Sequence, residues 1–253
     1  MRPITGFTTL TFDCYGTLID WERGLLDALR PWRTRAGVTA GDDDVLQAFG
    51  EAEAEAERAT PFRLYPQVLE DVLARLASRW SVLVDPGEAR RFGESVGSWP
   101  PFADTPPALQ YLKQHYKLVI VSNVDHASFG RTERQLGVPF DLVVTAQDVG
   151  AYKPDPRTFQ YALEKIRRTL GVEPAEILHT AQSLFHDIVP AKALGLATMW
   201  IDRRRGRPGS GATPAVAADD HARPDFVAGS LEELVALHKE RPVFGPAVGR
   251  DRS

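Results

Sequence analysis

The chain has 253 residues, 43% hydrophobic and 25% charged, with a formal net charge of −4. That balance is ordinary for a soluble globular chain with a sizeable core, and with no basic stripe it argues against nucleic-acid binding. No apolar run approaches the roughly 18–20 residues of a membrane span, and the start at Arg2-Pro3, followed by Thr-rich sequence, lacks the plan of a signal peptide. A lone cysteine, Cys14, forbids an internal disulfide and fits a reducing compartment, so a cytoplasmic protein is expected.

A β-prone run from Phe7 to Phe12 opens the chain and stops at Asp13, with Gly16 and Thr17 close behind. β-Branched and aromatic residues favour the strand, and Gly16 permits a tight turn after it. Asp13 therefore stands at the carboxyl end of a strand, the edge where open α/β sheets bind ligands. The alternative reading is an Asp that only caps a turn. Cys14 beside it reads as a small packing residue, a nucleophilic thiol being the other option.

From Trp21 to about Arg91 the spacing is helical. Leu25, Leu26, Leu29 and Trp32 share one face, and so do Val68, Leu69, Val72, Leu73 and Leu76. Asp42, Asp43 and Asp44 suit a helix N-terminus ahead of Val45. Glu51 to Glu57, alternating with Ala, reads as the acidic, solvated face of a helix; a cation site is the other option. This stretch offers no strand and interrupts the chain just after the first one, as an inserted helical cap would.

Beyond the turn-rich Trp99-Pro100-Pro101-Phe102, strands and helices alternate. Strands are expected at Lys117–Val121, Phe140–Thr145, Glu176–Ala181, Leu196–Ile201 and Pro224–Ala228. Helices are expected over Thr105–Tyr111, up to Leu136, over Thr158–Leu170, Ile188–Leu194 and Leu231–Lys239, with Gly137, Gly171 and Gly195 at three of the ends. Such alternation gives an α/β fold, a doubly wound and mainly parallel sheet joined by right-handed crossovers. The expected domains are a core of 1–20 and 97–240, a cap of 21–96 and a disordered tail of 241–253. The Gly/Pro/Arg-rich stretch from Asp202 to Arg223 reads as a mobile surface loop, with Arg203, Arg204 and Arg205 solvated; its glycines open no helix and make no phosphate loop.

Asp13, Ser122-Asn123, Lys153 and Asp187 each follow an apolar run, so parallel strands would gather them at one edge. Thr11 to Leu18, Val121-Ser122-Asn123, Tyr152-Lys153-Pro154 and the region to Asp187 resemble, in this order, the four motifs of the haloacid dehalogenase superfamily, and the helical block resembles its cap. The resemblance implies a Rossmann-like core. Members that are phosphatases carry a second Asp where Tyr15 stands, and Tyr15 is no acid at neutral pH. They also bring two acidic residues to the fourth motif, where Asp187 stands alone. Asp-Cys-Tyr-Gly-Thr is similar instead to the 2-haloacid dehalogenase branch, which uses no metal.

That branch implies an (S)-2-haloacid dehalogenase-like enzyme acting on a small halogenated carboxylic acid, with Asp13 as nucleophile and no cofactor. Lys153 would aim and charge-balance Asp13, Thr17 would steady it, and Asp187 would hold Lys153 and help activate water. Cys14, Tyr15, Ser122 and Asn123 would bind the substrate carboxylate, largely through backbone N–H groups. Three features depart from the pattern. No Arg to clamp the leaving halide appears among Glu51 to Glu57, although Arg58 and Arg63 are near. Phe159 replaces a Tyr, and Gln182-Ser183-Leu184 replaces a Ser-x-Asn. His186 beside Asp187 is placed to line the substrate site and could take over water activation; a metal pair with His179 is a further option. A Mg²⁺-dependent phosphatase, a non-catalytic carboxylate binder and a homodimer stay open.

Overall fold

The computed structural model describes residues 2–58, 61–207, 211–213 and 223–240. Strand β1 (Thr9–Phe12) is buried throughout and leads into four helices: α1 (Trp21–Ala36), α2 (Asp42–Glu57), α3 (Tyr65–Arg79) and α4 (Pro86–Glu94). Then follow α5 (Thr105–Leu112), β2 (Lys117–Ser122), α6 (His126–Leu136), β3 (Leu142–Thr145), α7 (Ala146–Val149) and α8 (Pro156–Leu170). The chain continues through β4 (Ile177–Ala181), α9 (Val189–Ala193), β5 (Ala197–Ile201), β6 (Phe226–Ala228) and α10 (Leu231–Lys239). The expected tail of 241–253 lies outside the described residues.

The described strands form one six-stranded sheet, ordered β3-β2-β1-β4-β5-β6 and parallel at every pairing. Period-2 alternation explains why it is covered on both faces. In β2, Leu118 and Ile120 join the core cluster shared with α5 and α10, while Val119 and Val121 join a second cluster with Phe159, Ala162 and Ile166 of α8. The order reverses across β1 and β4, which puts a crevice at their carboxyl ends.

The helical block docks over that crevice. Trp21, Leu25, Phe49, Leu69 and Phe92 belong to the same hydrophobic cluster as Leu18, Trp99 and the sheet residues Leu10 and Phe12. Asp20 caps α1 by accepting from the Arg23 N–H, and Gly37 ends it in the left-handed region.

The helix expected over Ile188–Leu194 is α9, preceded by a wide π-type turn at Leu184–Ile188 that is closed by the Ile188 N–H donating to Ser183 O at 3.1 Å. Two expectations need correction. Of the stretch expected as a solvated mobile loop, residues 211–213 are folded inward. Ala212 is buried, and its carbonyl approaches Gly50 of α2 so closely that a Cβ there would lie 2.2 Å from it. The Arg203 side chain is also largely covered: it grips both Asp104 carboxylate oxygens at 2.9 Å, donates to Thr17 O and lies over the Phe102 ring. Arg204 pairs with Glu22, while Arg205 is exposed beside Glu233. No described helix is long and apolar enough to cross a membrane.

Candidate active site

Asp13 follows the last residue of β1, and its N–H still donates to Thr180 O of β4 at 3.1 Å. The chain then turns back: Leu18 and Ile19 N–H both donate to Cys14 O, and Gly16 takes a φ of +93° that a side chain would resist. This turn aims Thr17 back at Asp13. Thr17 Oγ1 donates to Asp13 Oδ2 at 2.9 Å and accepts the Gln182 N–H at 2.8 Å.

Lys153 reaches the same carboxylate from the loop after α7. Its Nζ donates to Asp13 Oδ1 at 2.8 Å, to Asp187 Oδ1 at 2.6 Å and to Val121 O at 2.9 Å, which uses all three ammonium protons. Asn123 fixes the lysine backbone, accepting from Lys153 N–H at 2.6 Å and donating to Lys153 O at 3.1 Å. Burial opposes the Lys153 charge, yet Asp13 and Asp187 hold its pKa above the ordinary lysine value. Burial also raises Asp13, against Lys153, while Asp187 is lowered because Lys153 and His179 outweigh its burial. Both Asp13 oxygens accept hydrogen bonds, the arrangement of an ionised carboxylate.

His179 joins this network although no motif marks it there. It sits in β4 directly across from Thr11 in β1. Its Nδ1 lies 2.9 Å from Thr11 Oγ1 and its Nε2 lies 3.1 Å from Asp187 Oδ1. Both ring nitrogens are engaged, so the suggested metal pairing with His186 has no geometry to support it. Among the described residues no group of three or more His, Cys, Asp or Glu side chains could hold a metal. Phe159, which replaces a Tyr, packs edge-on against the His179 ring at 4.9 Å.

A pocket opens above Asp13, lined by Ser122, Asn123, Lys153, His186 and Asp187 on the sheet side and by Trp21, Glu53, Glu57 and Tyr65 from the helices. Ser122 Oγ and Asp187 Oδ2 are buried with no hydrogen-bond partner. Burial lowers the His186 pKa to about 4, so its ring is neutral at pH 7; Nδ1 lies 3.1 Å from Ser183 Oγ. The N–H groups of Cys14 and Tyr15 carry no hydrogen bond among the described residues. The Tyr15 hydroxyl bonds Thr132 at 2.8 Å, and the Cys14 thiol is fully buried, its pKa pushed well up by burial and by Asp13.

The helix wall corrects the reading of Glu51 to Glu57. At about 100° per residue, alternate positions fall on opposite faces. Glu51 and Glu55 face solvent and pair with Arg79 and Arg75. Glu53 is buried, accepting from Tyr65 OH at 2.5 Å, and Glu57 accepts from Asn123 Nδ2 at 3.4 Å. Arg63 pairs with Asp71 and does not line the pocket, and neither does the exposed Arg58.

The profile of the haloacid dehalogenase-like hydrolases matches residues 7–195. An (S)-2-haloacid dehalogenase of Pseudomonas putida is 26% identical over 221 residues, covering 81% of this chain and 88% of that protein. A phosphoglycolate phosphatase of Neisseria gonorrhoeae is 29% identical over 137 residues, covering 53% of this chain and 54% of the other. The crystal structure of an L-2-haloacid dehalogenase superposes with a TM-score of 0.73 at 25% identity, over 90% of this chain and 98% of that one.

Proposed function

Because the chain belongs to the haloacid dehalogenase-like hydrolases, we propose that it hydrolyses a small 2-haloalkanoic acid to the 2-hydroxy acid, as an (S)-2-haloacid dehalogenase does. The observation that carries this reading is Asp13, held by both oxygens at the floor of a pocket. In the first step an Asp13 oxygen attacks the carbon bearing the halogen, forming an ester and releasing halide. In the second, water attacks the Asp13 carboxyl carbon, returning the carboxylate and freeing the hydroxy acid with one proton.

The other residues take roles that follow from their contacts. Thr17 and Lys153 fix the direction of attack, and Lys153 offsets the charge of the carboxylate. The free N–H groups of Cys14 and Tyr15, with Ser122 Oγ, receive the substrate carboxylate, while Asn123 keeps Lys153 in place. Neutral His186 serves as base for the water of the second step, beside Asp187. Residues 21–96 act as the cap over a core of 1–20 and 97–240, keeping water from a carboxylate that is a weak nucleophile when solvated.

A single turnover of 2-chloropropionate in ¹⁸O-water tests the mechanism. Label entering the Asp13 carboxylate, read by mass analysis of its peptide, is expected. Halide release with no label in that peptide would sink the ester route. In His186→Asn the ester is expected to accumulate, visible as added mass on the same peptide.

A further inference from the structure

Glu53 and Glu57 bring to the pocket two carboxyl groups that form no ion pair with any Lys or Arg among the described residues. Among the described residues lining it stand four carboxyl groups, Asp13, Glu53, Glu57 and Asp187, against one cation, Lys153. The three protons of that ammonium are spent on Asp13, Asp187 and Val121 O. The two glutamates meet only neutral donors, the Tyr65 hydroxyl and the Asn123 amide. Buried carboxyl groups ordinarily have a charged partner, and the outer pair on the same helix, Glu51 and Glu55, has one each. Unpartnered Ser122 Oγ and Asp187 Oδ2, both almost fully buried in the same pocket, show a site built to receive a polar ligand.

We propose that Glu53 and Glu57 form a subsite for an ammonium group, so that the substrate is a small acid with its carboxylate at the sheet edge and an amino group directed to α2. The inference rests on the reading in which Asp13 attacks a haloacid, and it names the class of haloacid. An ammonium donates three hydrogen bonds, enough to reach both glutamates at successive turns of one helix face. Without it, burial holds Glu53 up at about 7 and pushes Glu57 well above the ordinary glutamate value, with Glu53 adding to the effect.

Calorimetric titration of the intact protein with 2-hydroxybutyrate and with 4-amino-2-hydroxybutyrate tests the subsite without any bond being broken. The amino acid is expected to bind at least about tenfold tighter, the scale of a charge-assisted hydrogen bond. Glu53→Gln with Glu57→Gln should abolish the preference. Glu51→Gln with Glu55→Gln removes the same charge from the outer face and should keep it. Equal affinities in the unaltered protein, no binding of the amino acid, or equal loss in both double variants would overturn the proposal. Halide release from 2-chloropropionate reports separately on the chemistry. If no halide appears while the amine preference stands, the displacement reading fails and the subsite survives; halide release without the preference removes the subsite alone.

Discussion

At the sheet edge Asp13 and Asp187 share the Lys153 ammonium, and Thr17 and His179 take further positions on the two carboxylates. Across the pocket, Glu53 and Glu57 have one neutral donor apiece. Each region brings two acidic side chains to the pocket lining, but only the edge brings its own counter-charge. A self-balanced group keeps its ionisation whatever is bound, as a nucleophile requires. An unbalanced pair changes its ionisation with its ligand, as a selective subsite can. The difference also divides the chain: the balanced set comes from strand ends and the unbalanced one from the inserted helices.

Removing the counter-charge should have the largest effect. Lys153→Met leaves Asp13 and Asp187 buried without their shared cation, which typically costs about 3–5 kcal/mol of stability, and halide release should fall to background. Urea unfolding and halide assays check both. A variant as stable as the parent would mean that the edge does not depend on Lys153 for its charge balance.

The helix wall should respond with the opposite sign. A carboxyl whose pKa is raised in the folded state, as Glu53 is to about 7, binds more protons folded than unfolded. Stability therefore falls as pH rises from about 4.5 to about 7 and levels off above that. Tyr65 on α3, Glu57 on α2 and Tyr152 beyond α7 are the titratable groups acting with it. Glu53→Gln should remove this loss, an effect on the order of 3 kcal/mol between pH 5 and pH 8. Parallel stability curves for the two proteins across that range would contradict the raised value.

Arg203 braces the turn that follows β1 from behind. Its guanidinium donates to Thr17 O through Nε and Nη2 while Nη1 holds Asp104. A lysine cannot reproduce that fork. Arg203→Lys should cost about 1–2 kcal/mol and lower kcat by up to about tenfold with KM little changed, because Thr17 is displaced and the pocket wall is not. A rise in KM with kcat intact would place Arg203 in binding instead.

These residues also mark what the sequence could and could not reveal. The strand ends were legible because each apolar run stops at a polar residue, so Asp13, Ser122, Lys153 and Asp187 could be placed on one edge before any coordinates. Strand limits shifted by a residue or two: β1 starts at Thr9 because Ile4–Gly6 form a 3-10 turn and Phe7 packs on Phe226. Glu53 and Glu57 were misread because a composition-level alternation hid two helix faces. Arg203 was misread because a run of three arginines looks solvated until its partner Asp104, far away in sequence, is known. His179 carried a weaker signal: a lone His within a buried strand needs a partner, but its partners depend on the β1–β4 register.

Cys14 gives the smallest expected effect and separates the two nucleophiles the sequence offered side by side. Its side chain is fully buried, away from the pocket lining, and its thiol stays protonated at neutral pH because burial and the Asp13 charge push its pKa well up. The thiolate, not the thiol, is the attacking form. Cys14→Ala therefore removes only packing, about 1 kcal/mol, and should leave halide release within about twofold, since the Cys14 group proposed to receive the substrate carboxylate is a backbone N–H that alanine keeps. A loss in Cys14→Ala as deep as that in Asp13→Asn would move the covalent step from carboxylate to sulfur.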